Sequence, residues 1–189
     1  MNDHPDVAGL LRDPAMLAAL GPALAEPFAD LNITAVVAPE ARGPIVGALV
    51  AVSLGVGLIL ARKDGQNHPG ANLSIDSDPT WRGRTQRFVA RSFDLDRADG
   101  DHDTGYGSDT GYGSHRGLIV DDWITTGSSI RAVRDLICKA GATYVGASVI
   151  VNKATPATLA TLKASTLVDF DAIMDTSTSG PPKESEPNE

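Results

Sequence analysis

Ile33–Ala38 (ITAVVA) is a continuous β-favouring run, and Val56–Ala61 (VGLILA) is a second. Neither shows the polar alternation of a strand with one wet face, so both read as strands buried on both faces. A sheet of such strands needs helices on either side. The segment between the two runs supplies one, opened by Gly43 and continuing to about Leu54. The same alternation carries on along the chain. Pro14–Ala29 places Met16, Leu17, Leu20, Leu24 and Phe28 at helical spacing behind an Asp13-Pro14 start, with Pro22 and Pro27 as sites for a kink or a split. Phe88–Phe93 and Leu118–Val120 read as strands, the latter with an abrupt polar end. Ser128–Ala140 reads as a helix closed by Gly141, with Cys138 on its apolar side. Tyr144–Val151 reads as a strand, Pro156–Ala164 as a short helix and Leu167–Ile173 as a last strand. Strands alternating with helices imply an α/β fold, a mainly parallel twisted sheet flanked by helices.

Two regions fall outside this pattern. Residues 94–116 are rich in Gly and Asp and hold a tandem hexamer, Asp103–Ser108 repeated as Asp109–Ser114, which reads as a flexible loop. Residues 177–189 are rich in Ser, Pro and Glu and read as a disordered tail. The expectation is one domain over residues 1–176 followed by that tail.

Charge narrows the function classes. The formal net charge of −8 argues against nucleic-acid binding. Between Glu40 and Arg91, however, seven basic side chains stand against four acidic ones, a positive centre suited to a small anionic ligand. The most apolar stretch, Ile45–Ala61, is interrupted by three glycines and reads as helix then strand, so no membrane span is expected. Met1–Asp6 is acidic and lacks the basic start of a secretory leader, and a single cysteine allows no internal disulfide; both point to the cytoplasm. The four histidines have no metal-ligand spacing.

The chemistry concentrates in Leu118–Ser129. An apolar strand runs into two adjacent carboxylates, Asp121 and Asp122. Trp123 and Ile124 follow, then Thr125, Thr126, Gly127, Ser128 and Ser129 lead into a helix. A helix N-terminus offers unpaired N–H groups and the positive end of the dipole, and with hydroxyls beside it forms a phosphate cradle. The acid pair at the carboxyl end of a strand is placed to hold ribose hydroxyls, directly or through the water of a bound Mg2+. No Gly-Lys-Thr/Ser follows the turn, which excludes a Walker A loop. The bland alternative is an ordinary capped strand–turn–helix.

This segment resembles the signature with which type I phosphoribosyltransferases bind phosphoribosyl pyrophosphate (PRPP). Trp123 is bulkier than the aliphatic residue usual there. The resemblance extends upstream, closest to adenine phosphoribosyltransferase: Glu40-Ala41-Arg42-Gly43 resembles the family's pyrophosphate loop, Ala61-Arg62-Lys63 the end of its next strand, and Leu11-Arg12-Asp13-Pro14 the start of its first helix. The resemblance implies Mg2+ as cofactor, PRPP and a nitrogenous base, purine before pyrimidine, as substrates, and a place in nucleotide salvage; it allows a homodimer. Asp121 and Asp122 are the implied catalytic and metal-linked pair and Thr125–Ser129 the 5-phosphate cradle. Arg42, Gly43, Arg62 and Lys63 are the implied pyrophosphate site. Asp76–Arg91 falls where the family carries a mobile loop, so Arg82 and Arg84 are expected to bring charge to the leaving group; a solvated basic hairpin is the alternative. The chain departs from the family in two places. The loop's Glu-Tyr-Gly triplet is matched by Trp81-Arg82-Gly83, without an acid, and the hood over the base is reduced. The acceptor is therefore open, and a PRPP-binding regulatory protein without turnover stands beside the enzyme.

Overall fold

A computed structural model describes residues 7–65, 68–95 and 115–172. The tandem hexamer and the tail lie outside the described residues.

Seven strands form one sheet in the order β3-β4-β2-β1-β5-β6-β7. They are β1 (Ala35–Pro39), β2 (Gly57–Lys63), β3 (Leu73–Asp76), β4 (Arg87–Ala90), β5 (Arg116–Ile124), β6 (Thr143–Asn152) and β7 (Ala164–Asp169). All neighbours from β2 to β7 are parallel, while β4 runs antiparallel to both β2 and β3. The mainly parallel sheet expected from the sequence is present.

Alternation along each strand divides the core into two layers. On one face Val36, Leu118, Val120 and Ile150 pack under α2 (Pro14–Ala25) and α3 (Gly43–Leu54). On the other, Val37, Ile119, Ala147 and Val149 pack under Ile130, Val133, Leu136 and Ile137 of α5 (Ser128–Lys139). Every residue of β1 is buried. A short α1 (Val7–Arg12) precedes α2, a four-residue α4 (Ser92–Leu95) follows β4, and α6 (Pro156–Thr161) precedes β7. Among the described residues no helix is long and apolar enough to cross a membrane.

Local chemistry explains the boundaries. The Asp13 carboxylate accepts the N–H groups of Ala15 and Met16 at 2.9 Å and starts α2, with Pro14 at its first position. Pro22 stays inside α2. The helix stops at Ala25, because Pro27 has no N–H to continue the ladder; a 3-10 turn, Glu26–Phe28, takes over. Gly141, at φ +80°, follows α5 as expected.

Several expectations are corrected. Cys138 is exposed, because α5 turns Val133, Leu136 and Ile137 inward and leaves position 138 outside. β4 ends at Ala90, since Ser92 begins α4, and β7 lies at 164–169 rather than 167–173. β3 is additional. Most consequential, β5 does not end at Val120 but runs through both aspartates to Ile124. It keeps its partner β6 as far as Ile124↔Asn152, whereas its pairing with β1 ends at Val37↔Ile119.

Candidate active site

The parting of β1 and β5 opens a crevice at their carboxyl ends. From β1 the chain crosses through α3 to β2 on one side, and from β5 through α5 to β6 on the other. Such a reversal point is where open α/β sheets bind ligands. The cleft here has a volume of about 520 Å³, within the range of small-molecule sites.

Its floor is the acid pair. Asp122 is buried, and its carboxylate is ion-paired with the Arg42 guanidinium from the loop after β1. Asp121 accepts the backbone N–H of Asp122 at 2.9 Å. Its carboxyl is pushed well above the usual carboxylate range, first by lost hydration and then by the charge of Asp122; Arg42 pulls the other way. Gly43 permits this arrangement. A Cβ there would stand 3.1 Å from Asp121 Oδ1 and 3.2 Å from the Val120 carbonyl oxygen, so a side chain would force these neighbours to give by a few tenths of an ångström.

The expected pyrophosphate group divides in two. Arg42 and Lys63 line the cleft; Gly43 and Arg62 stand behind its wall. The Arg62 guanidinium turns to Glu40, Nε to Oε1 at 2.6 Å, and the Lys63 backbone N–H donates to the other oxygen at 3.1 Å. Neighbouring side chains on a strand point to opposite faces, so Arg62 and Lys63 cannot both look into the crevice. Glu40, unassigned from the sequence, thus joins the loop after β1 to the end of β2.

Thr125, Gly127, Ser128 and Ser129 line the cleft at the start of α5. Thr126 does not. Its hydroxyl donates to Ser128 Oγ at 3.1 Å and takes the Ser128 N–H at 3.4 Å, which secures the turn from outside. Gly127 has φ +73°, and a Cβ on it would meet Leu162 Cδ1 at 2.6 Å.

Residues 77–86 join β3 to β4 as a hairpin. Arg87 holds Asp76 with two hydrogen bonds, 2.7 and 3.0 Å, and Ser77 and Gln86 pair above them at 2.8 and 3.0 Å. At the tip the Gly83 N–H donates to the Thr80 carbonyl at 2.7 Å, and the Thr80 N–H to the Arg84 carbonyl at 2.9 Å. This turn aims Trp81 and Arg82 over the cleft, whereas Arg84 is exposed and away from its wall. Of the expected pair, Arg82 lines the cleft and Arg84 does not. The Arg82 guanidinium lies 4.6 Å from the Trp81 ring centre. Trp81 meets Trp123 edge to face at 6.5 Å and 77°, and Trp123 meets Phe170 at 6.4 Å and 79°. Asp78 reaches Arg131 of α5 at 3.1 Å and ties down the near side of the hairpin. Trp81 was legible only as a departure from a family triplet. The stronger signal was scarcity: the chain has two tryptophans, and both line this cleft.

Among the described residues no three His, Cys, Asp or Glu side chains gather as a metal cage. An acid pair beside a phosphate cradle does fit Mg2+, which takes one or two carboxylates and completes its shell with water and substrate phosphates.

The sequence matches the family described as phosphoribosyl transferase domain over residues 6–167. It is 37% identical over 146 residues to the adenine phosphoribosyltransferase of Streptomyces coelicolor, covering 77% of this chain and 70% of that protein. Among solved structures, the adenine phosphoribosyltransferase of Thermoanaerobacter pseudethanolicus superposes with a TM-score of 0.71 at 22% identity, over 88% of this chain and 87% of its own. The enzyme of Giardia lamblia complexed with 9-deazaadenine gives 0.69 at 22% identity, over 87% and 84%. The two structures share the fold.

Proposed function

This chain belongs to the phosphoribosyl transferase domain family, and on that premise we propose that it transfers the 5-phosphoribosyl group of PRPP to a purine base, adenine first. The observation that carries the reading is the acid pair of β5, set between the N-termini of α3 and α5, with the buried Asp122 answered by Arg42. The Asp122 carboxylate is answered by Arg42, and Asp121 beside it, whose charged form is disfavoured in the free protein, gains its charge as a cationic centre comes near. A ribosyl carbon that becomes cationic in the transition state is favoured there over the neutral ground state, which is how binding becomes rate.

In the reaction the bond from the anomeric carbon to the pyrophosphate oxygen breaks and pyrophosphate leaves with the electron pair. The lone pair of a base nitrogen forms the new bond, and the proton that nitrogen carried passes to solvent. Thr125, Ser128 and Ser129, with the N–H groups of α5, hold the 5-phosphate; Thr126 and Gly127 shape that turn. Arg42 and Lys63 receive pyrophosphate with charge-assisted hydrogen bonds. Gly43 and Arg62 support them from behind, Arg62 through Glu40. Arg82 adds charge from the hairpin, and Arg84 has no part in the wall. Asp121 and Asp122 would hold Mg2+ through water, and the ion would supply positive charge toward the leaving group. A cytoplasmic setting and a homodimer belong to the same proposal.

The test is pyrophosphate release from Mg–PRPP across a panel of purine and pyrimidine bases. Release with adenine at enzyme-like rates is expected. Tight Mg–PRPP binding with no release on any base would overturn transfer in favour of a PRPP-binding regulator. The hairpin tip, which brings no acid to the cleft, is the observation that favours this second reading.

A further inference from the structure

Apart from its two indoles, the wall of the cleft is mostly charged, hydroxylated or backbone. Trp123 follows the acid pair on β5 and is fixed by the strand, paired at Trp123↔Val151. Behind it stands Phe170, only 9% exposed. Trp81 comes from the opposite side, on the hairpin tip, and remains 50% exposed. The two rings stand at 77°, nearly perpendicular and in edge-to-face contact, so the space beside them is a corner rather than a slot.

We propose that this corner is the acceptor subsite, and that Trp81 is the residue that sets its preference for bicyclic heteroaromatic bases. The inference rests on the transfer reading and adds the acceptor half to it. With phosphate at the start of α5 and ribose at the acid pair, the moiety that remains reaches the ring that follows the acids. Aromatic pairs favour offset stacking and edge-to-face contact. A flat heterocycle in the corner makes both at once, one with each indole. A purine covers the indole face with two rings, a pyrimidine with one. Stacking of a base on an aromatic side chain tolerates many substituents because every base has a π face, so the corner selects ring size, and exocyclic groups are left to other contacts. Trp81 is carried by the hairpin, so the subsite is complete only while the tip is seated. Arg82, stacked on Trp81, adds charge at the same place.

The experiment measures two affinities on the full chain. One is that of 9-deazaadenine in the presence of Mg–PRPP; carbon replaces the nitrogen that would accept the ribosyl group, so nothing turns over. The other is Mg–PRPP alone, by calorimetry. Trp81→Ala should weaken 9-deazaadenine about tenfold or more and leave Mg–PRPP within about twofold, since one stacked base is worth roughly that factor. Trp81→Phe should restore most of the loss. Trp123→Leu should narrow the ratio of KM values between pyrimidines and purines. Unchanged 9-deazaadenine affinity in folded Trp81→Ala and Trp123→Leu overturns the corner, as does a wild-type chain that binds no base analogue. A wild-type chain without pyrophosphate release whose 9-deazaadenine affinity still depends on Trp81 overturns transfer and keeps the corner. Turnover with acceptor KM unmoved by either variant does the reverse.

Discussion

Asp121 holds a carboxyl where the fold disfavours its charge. Its carboxyl is deprived of water and faces a second carboxylate, so its charged form is disfavoured in the free protein. Asp121→Asn keeps the shape and removes that like-charge contact. The free protein should gain stability, on the order of 1 kcal/mol, seen as a higher Tm in calorimetric scans, while Mg–PRPP affinity falls steeply. A variant less stable than the parent would show that Asp121 holds the crevice together. The acid pair was legible because charge inside a run as apolar as Leu118–Ile124 has no packing purpose. Which arginine faces the cleft was not legible. Arg62 or Lys63, and Arg82 or Arg84, differ by one or two positions, and the phase of a strand or a turn decides between them.

At the level of elements, helices were read closely where side-chain chemistry fixes their ends. Asp13-Pro14 starts α2, Gly43-Pro44 starts α3, and Gly141 follows α5. Strands were read less well, because pairing sets their length. β5 looks finished at Val120 until β6 is seen beside it, and the four residues of β3 exist only as the partner of β4. The hairpin these two form carries its own pH response. The hydrogen bonds from Arg87 hold the Asp76 carboxyl below the usual carboxylate range. A depressed value in the folded state means that the pair contributes fully above the ordinary carboxylate pKa, and that its contribution is lost as pH falls through the depressed one. NMR titration of the Asp76 carboxyl should therefore give a midpoint below the ordinary value, and Arg87→Ala should return it there. An unmoved midpoint would remove Arg87 as the cause.

At the level of the molecule, the two-faced sheet was legible from two unalternated runs, since nothing but helices on both sides can cover them. The antiparallel edge was not, because it is specified by pairing rather than by any local pattern. One close approach holds the N-terminal helices to the sheet: a Cβ on Gly146 of β6 would stand 2.7 Å from Phe28 Cε1 and 2.8 Å from the Lys163 carbonyl oxygen. Nearby, Ser148 donates to the Leu24 carbonyl at 2.7 Å. Gly146→Ala should cost about 1–3 kcal/mol by overpacking, read from denaturant unfolding, with the midpoint lowered. An unshifted midpoint would mean that Phe28 moves aside at no cost.

The tryptophans have a consequence beyond binding. The chain has only two, and they touch across the cleft, one on a strand and one on a hairpin tip. Tryptophan emission, excited at wavelengths that the three tyrosines do not absorb, is therefore a signal from the cleft alone. Lifting the tip should separate the two emitters, and a heterocycle seated in the corner should alter the emission of both. The molecule carries its own optical gauge of closure, with no dye to attach.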